Sequence, residues 1–156
     1  MDAIAPELEP LAFLIGTWAG EGKGDYPTIQ PFGYGEEIMF RNLGKPFLVY
    51  DQRTWSLEDR RPLHSEMGYW RPKPGGHLEV VLAESTGHAE VLEGEMGDGA
   101  LSVVTRSISR ASTAKDIRRV ERSFRFEGDT IRYTMSMEAV GQPLTRHLEA
   151  VLTRRG

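Results

Sequence analysis

Four histidines, His64, His77, His88 and His147, are the residues of this chain best suited to hold a metal or move a proton near neutral pH. A zinc centre needs several converging ligands, usually with a close-spaced pair, and no HxH, HxxxH or HExxH occurs. His77 follows Pro74-Gly75-Gly76 and His88 follows Ser85-Thr86-Gly87, so both read as solvated strand-end residues. His64, in Leu63-His64-Ser65-Glu66, has neighbours that would also suit a cavity. His147 opens a segment in which Leu148, Ala150 and Leu152 share one face and His147, Glu149 and Val151 the other. By parity it points outward as an ordinary surface histidine; a bulge, or a place at the rim of a barrel, would turn it. One neutral imidazole is enough to hold a haem iron from one side.

Other catalytic sets are thin. No GxSxG nucleophile elbow is present. The doublet Glu36/Glu37 puts one carboxylate on each strand face, which excludes a paired dyad and suggests solvated faces with at most one structural ion pair. Gly16, Trp18, Gly20 and Gly22 form a GxWxGxG run. A dinucleotide cradle needs its glycines between a strand and a helix, and here they sit inside an alternating segment with no helix following. The run therefore reads as structural, with Trp18 capping the closed end of a barrel and the glycines letting backbones approach.

The elements that position these residues are short and extended. Alternation predicts ten strands, at 17–24, 34–42, 46–55, 63–70, 77–84, 88–95, 101–109, 117–126, 130–138 and 144–153. One helix is expected over 6–15, where Leu8, Leu11, Ala12 and Ile15 fall on one face before Gly16. Segment 25–33, with Pro27 and Pro31, is expected to be a connection, because proline donates no ladder hydrogen bond. Residues 109–116 read as a polar loop over a barrel mouth. Ten strands in one small domain leave two costly edges unless they close, so the expected fold is an all-β, ten-stranded antiparallel barrel with a short N-terminal helix.

Composition bounds the rest. The 156 residues suit one domain, 1–156, with a single core. Without cysteine there is no disulfide framework, thiolate zinc site, iron–sulfur cluster or thiolate-bound haem. A net charge of −4, with the 19 basic residues scattered, argues against nucleic acid as a partner. No apolar run reaches the roughly 18 residues of a membrane span, and the acidic start does not resemble a secretory signal; a cytoplasmic location is the expectation. From the residues alone the chain is a small barrel whose interior or mouth binds something.

Several segments in order also resemble the nitrobindin family: the GxWxGxG run with Lys23 to Ile29, Phe32 to Ile38, Gly44 to Tyr50, Leu63 to Arg71, Thr113 to Asp116, Ala139 to Leu144, and His147 to Leu152. The match spans about Leu8 to Arg154. The resemblance implies a barrel shaped like the fatty-acid-binding proteins and lipocalins, with ferric haem b at its mouth and His147 as iron ligand. It further implies Thr28 and Lys115 beside the haem, the lysine as a propionate partner, and no catalytic residue beyond the iron. Isomerisation of peroxynitrite to nitrate, with nitric oxide as a second ligand, is the implied activity. A haem-free barrel carrying a fatty acid or other small apolar ligand is the alternative, and a filled interaction module the third. The oligomeric state is open, a homodimer being one option.

Overall fold

The computed structural model describes residues 2–156 and closes ten antiparallel strands into a barrel. The strands are β1 (Gly16–Tyr26), β2 (Ile29–Asn42), β3 (Leu48–Ser56), β4 (Pro62–Lys73) and β5 (His77–Glu84), then β6 (His88–Gly97), β7 (Ala100–Arg110), β8 (Ile117–Glu127), β9 (Thr130–Ala139) and β10 (Thr145–Arg154). Each pairs with its neighbour in sequence, and β1 pairs with β10 to close the ring. Short turns make this order the natural one, because a hairpin needs only a few residues whereas a crossover needs many. Closure removes both edges.

One expectation is sharpened and one is corrected. The N-terminal helix is a 3₁₀ segment, Pro6–Leu14, with Pro10 inside it. Pro10 has no N–H to give to an α-helical ladder, and the buried face runs Leu8, Leu11, Leu14 at the three-residue spacing of a 3₁₀ turn. Segment 25–33 is not a loop but the β1–β2 hairpin, turning at Pro27 and Thr28. Pro31 is accommodated because β2 overruns β3, whose pairing stops at Tyr34↔Ser56, so no ladder bond is demanded on that side.

The interior is layered along the barrel axis. At one end the 3₁₀ segment packs Leu8, Leu11 and Leu14 over Trp18, whose Nε1–H donates to the Leu14 carbonyl at 2.9 Å. Phe40, Trp70 and Phe124 stack beneath in edge contacts, with ring centres 4.9 and 5.4 Å apart. Burying each such large side chain contributes about 1.5–3 kcal/mol. Arg154 lies over the Trp18 ring at 4.4 Å and donates to the Phe13 and Ile15 carbonyls, pinning the last strand to the first segment. Gly20 is required here by close approach: an added Cβ would lie 2.0 Å from the Val151 carbonyl oxygen on β10. At Gly22 it would meet the Tyr34 ring at 2.5 Å and the Glu149 carbonyl at 2.6 Å. These contacts are the structural role expected of the GxWxGxG run, at the end of the barrel that the 3₁₀ segment closes.

The other end carries the turns β1–β2, β3–β4, β5–β6, β7–β8 and β9–β10, and it has no such plug among the described residues. There β7 and β8 pair only from Ala100↔Arg125 to Val104↔Glu121, then separate into the 111–116 loop. No helix of the described residues is long and apolar enough to cross a membrane.

Candidate functional site at the barrel mouth

His147 settles its own parity question. On β10, Arg146 pairs with Ser136 and Leu148 with Met135, so consecutive residues of β9 face alternate ones of β10 and His147 is the extra residue of a bulge. Leu148, Ala150 and Leu152 keep the inward face while His147 is half-buried at the rim. Its Nδ1 lies 2.9 Å from the Asp25 carbonyl oxygen. A carbonyl only accepts, so Nδ1 carries the proton and Nε2 is left with its lone pair. Burial pushes the ring's pKa down, with the charge of His64 adding to it, and the Asp25 bond opposes only part of this. A neutral imidazole with one nitrogen fixed on a backbone carbonyl and the other available is the arrangement metal-bound histidines adopt.

The ring is also held sideways. Tyr26 presents its edge to His147, with ring centres 5.5 Å apart at 75°. The Tyr26 hydroxyl donates to the Met137 carbonyl at 2.9 Å and accepts from the Ala139 N–H at 3.1 Å, fastening β1 to β9.

The other expected site residues lie at the same end. Thr28 is exposed in the β1–β2 turn. Lys115 is exposed on the β7–β8 loop, and its carbonyl accepts from His88 Nε2 at 2.7 Å. The structure brings Thr28, Lys115 and His147 to one rim and shows no contact among their side chains. Exposed Ile29, Leu57, Leu63, Val140 and Leu144 come from three of the turns there, an apolar fringe of the kind that meets an apolar ligand. Val140 is held at φ +45°, a strained setting for a β-branched residue. A hollow of about 720 Å³ lies at this end, lined by Thr54, Leu63, His64 and Ser85 among others. A second, of about 520 Å³, lies along the wall where Lys23, Arg125, Arg132 and Glu149 line it; that charged lining suits solvent.

The remaining histidines divide. His88 is not solvated: it is buried, with Nδ1 2.8 Å from the Thr86 hydroxyl and Nε2 on Lys115, so it braces the loop. His77 sits at the opposite end, half-exposed, 3.0 Å from Glu93, and that bond raises its pKa. With Glu79 it forms a cluster of metal-ligand type on the outer wall, but Arg71, Lys73 and Arg106 already engage the two carboxylates. His64 faces the mouth, with Nε2 2.9 Å from Glu66.

Below the mouth runs a polar belt that the sequence reading missed. Glu36, expected on a solvated face, is 1% exposed. It accepts from the Tyr133 hydroxyl at 2.5 Å and from Gln52 at 2.8 Å, and Tyr133 is bonded in turn to Tyr34 at 2.7 Å. Burial raises the Glu36 pKa to about 7, the two hydrogen bonds offsetting part of the rise. Glu66, also buried, takes Arg122 Nη1 at 2.6 Å and the Tyr50 hydroxyl at 2.8 Å. Burial raises its pKa, but the Arg122 guanidinium and His64 more than offset this and hold it well below the carboxylate range. The signal was there: Glu36 is in phase with Tyr34, Ile38 and Phe40, and Arg122 with Val120 and Phe124.

Known proteins are similar to this chain over nearly its whole length. The family model described as "THAP4-like, heme-binding beta-barrel domain" matches residues 7–154. A protein of Nocardia farcinica named peroxynitrite isomerase is 49% identical, over 97% of this chain and 93% of the relative. One of Mycobacterium marinum named peroxynitrite isomerase 2 is 48% identical over 96% of each. The crystal structure of Rv2717c from M. tuberculosis superposes with a TM-score of 0.92 at 45% identity, covering 99% of this chain and 100% of that one. This chain belongs to the THAP4-like, heme-binding beta-barrel domain family, the nitrobindin family its sequence resembles.

Proposed function

We propose that this chain binds ferric haem b at the barrel mouth through His147 and isomerises peroxynitrite to nitrate there, with nitric oxide as a further ligand. The observation that carries the reading is the His147 ring: neutral, half-buried, anchored by Nδ1 on Asp25 and free at Nε2. The names of the relatives support the reaction. The family match over 7–154 supports treating 1–156 as one domain, and a cytoplasmic setting is part of the same reading.

The residues present fit the group. His147 would hold the iron, and Tyr26 together with the Asp25 carbonyl keeps the imidazole from turning away. The exposed Lys115 ammonium is suited to a propionate, and the Thr28 hydroxyl to the haem edge. The fringe of Ile29, Leu57, Leu63, Val140 and Leu144 offers apolar surface to the porphyrin and excludes water from the reacting anion. Haem, when bound, would supply a Lewis-acid centre suited to the rearrangement of the peroxynitrite anion to nitrate. Reactant and product carry the same atoms and charge, so no side chain is required as acid or base.

A fatty-acid carrier fits less well. Arg122 and its carboxylates cross the middle of the interior, and the aromatic stack fills the floor. An acyl chain entering the barrel would desolvate those charges. Stopped-flow mixing of the haem-loaded protein with peroxynitrite tests the proposal: decay faster than in buffer, with nitrate as product, is expected. Decay at the buffer rate overturns the enzyme claim.

A further inference from the structure

The belt contains more carboxylate than its cation can balance. Glu66 on β4 stands directly opposite Glu84 on β5 in the sheet register, and Glu90 on β6 is the diagonal neighbour of Glu84, whose partner is His88. All three side chains turn inward, being 3%, 8% and 2% exposed, and all lie within 4.0 Å of the one Arg122 guanidinium. Like charges opposed across a sheet repel even at the surface, and in a dry interior the penalty grows. Three ionised carboxylates around one guanidinium would leave a surplus of two buried negative charges. An uncompensated buried charge takes up a proton rather than persist.

Further observations place that proton. Glu84 Oε2 and Arg122 Nε are buried without a hydrogen-bond partner, so the cluster is not closed as a simple salt bridge. Glu66 is fully engaged by Arg122, Tyr50 and His64, which favours its ionised form. Glu84 Oε2 and Glu90 Oε1 converge on the same Arg122 nitrogen, Nη2, at 3.5 and 3.8 Å, and two carboxyl groups crowded on one N–H donor are relieved when one of them is protonated and donates to the other. Thr105 on β7 donates to Glu90 Oε2 at 2.8 Å, leaving Oε1 for its neighbours. Glu36 on β2 is one more carboxyl group beside the cluster, and among the described residues Arg122 and His64 are the only basic side chains paired with Glu66, Glu84 and Glu90.

We propose that Glu84 and Glu90 share one proton inside the barrel at neutral pH, and that Glu66 and His64 form its exit to the mouth. His64 is the member that reaches solvent, its side chain 28% exposed in the hollow beside β3 and β4, and its Nε2 touches the buried Glu66. Glu66 faces Glu84 across the register. The chain of groups therefore runs from the sealed pair to the rim without passing through arginine, which does not release its proton. The pair titrates as a unit, so the shared proton belongs to neither residue alone. Burial and the charge of Glu66 keep it in place, raising the pKa of Glu84 far beyond that of a free carboxyl. That the exit opens beside a haem rests on the reading above; the stored proton and its path stand on the barrel alone.

Infrared spectroscopy of the haem-free protein tests both parts. In a Glu36→Gln background at about pH 8, chosen because burial brings Glu36 near the same range, a protonated-carboxyl carbonyl band is expected, and it should shift on transfer to D₂O. Glu84→Gln and Glu90→Gln are each expected to abolish it, so either variant serves if the other does not fold. Absence of the band in the parent, or its persistence in a folded Glu84→Gln or Glu90→Gln variant, overturns the shared proton. For the path, His64→Leu is expected to slow deuterium exchange of the band at least about tenfold. Exchange at the parent rate in a folded His64→Leu protein overturns the exit, whatever the outcome with haem.

Discussion

An imidazole serves a metal only when it is neutral, oriented and reachable, and at His147 each condition has a separate cause. Burial supplies the first, the Asp25 carbonyl the second, and the β10 bulge the third. Tyr26 joins the second through its ring contact with His147. Tyr26→Phe removes the hydroxyl between Met137 and Ala139 and leaves the Ala139 N–H unpaired. Stability should fall by about 1–3 kcal/mol in urea denaturation. Haem affinity should fall too, because the ring that flanks His147 loses its anchor. An unchanged denaturation midpoint would show that water replaces the hydroxyl without loss.

At the scale of elements, the bulge and the closing contacts decide what the sheet can present. Strict alternation placed His147 outward, and a single extra residue on β10 moved it to the rim. Alternation is a sound guide to β5, where Leu78, Val80 and Leu82 between two glycine-containing turns give the bounds 77–84. It misleads at Glu36, whose inward phase demands partners on other strands rather than solvent. Those partners, Gln52 and Tyr133, lie on other strands, 16 and 97 residues away, and no local pattern displays them. The 3₁₀ segment is legible as a helix but not as to type, since Leu8, Leu11, Ala12 and Ile15 fit an α-helical face while Pro10 and the buried Leu8, Leu11 and Leu14 fit the tighter winding. Thr28 and Lys115 came from resemblance, and only the barrel shows that their turns share an end with His147. Gly20→Ala forces a Cβ against the Val151 carbonyl and must part β1 from β10. A loss of about 3 kcal/mol, read from chemical denaturation, is expected; an unaltered midpoint would mean that the strands separate freely.

The whole molecule joins an apolar closed end, a charged belt and an open rim, and the belt makes its stability depend on pH in both directions. Glu36 has a folded pKa of about 7 against an ordinary 4.5, so its contribution is complete below 4.5 and is lost as pH rises through 7. Glu66 is shifted the opposite way, so its contribution is present above 4.5 and is lost as pH falls. Maximum stability should therefore lie in mild acid, near pH 5. Between there and pH 8 the free energy of unfolding should drop by on the order of 3 kcal/mol from Glu36 alone. Urea denaturation across this range should show the drop in the parent and a flatter profile in Glu36→Gln. A parent profile that rises steadily to pH 8 would contradict the assignment.

Arg122, the carboxylates and the aromatic stack fill the interior below the rim, and the proposed ligand site is therefore the mouth, where His147 stands on the β10 bulge. Haem reconstitution of the parent and of His147→Ala, followed by optical titration, tests this most directly. The parent should bind stoichiometrically and show a ferric Soret band of a histidine-ligated haem. His147→Ala should bind at least about a hundredfold more weakly, with that band lost or displaced. A folded His147→Ala protein whose spectrum and affinity match the parent would contradict the central claim.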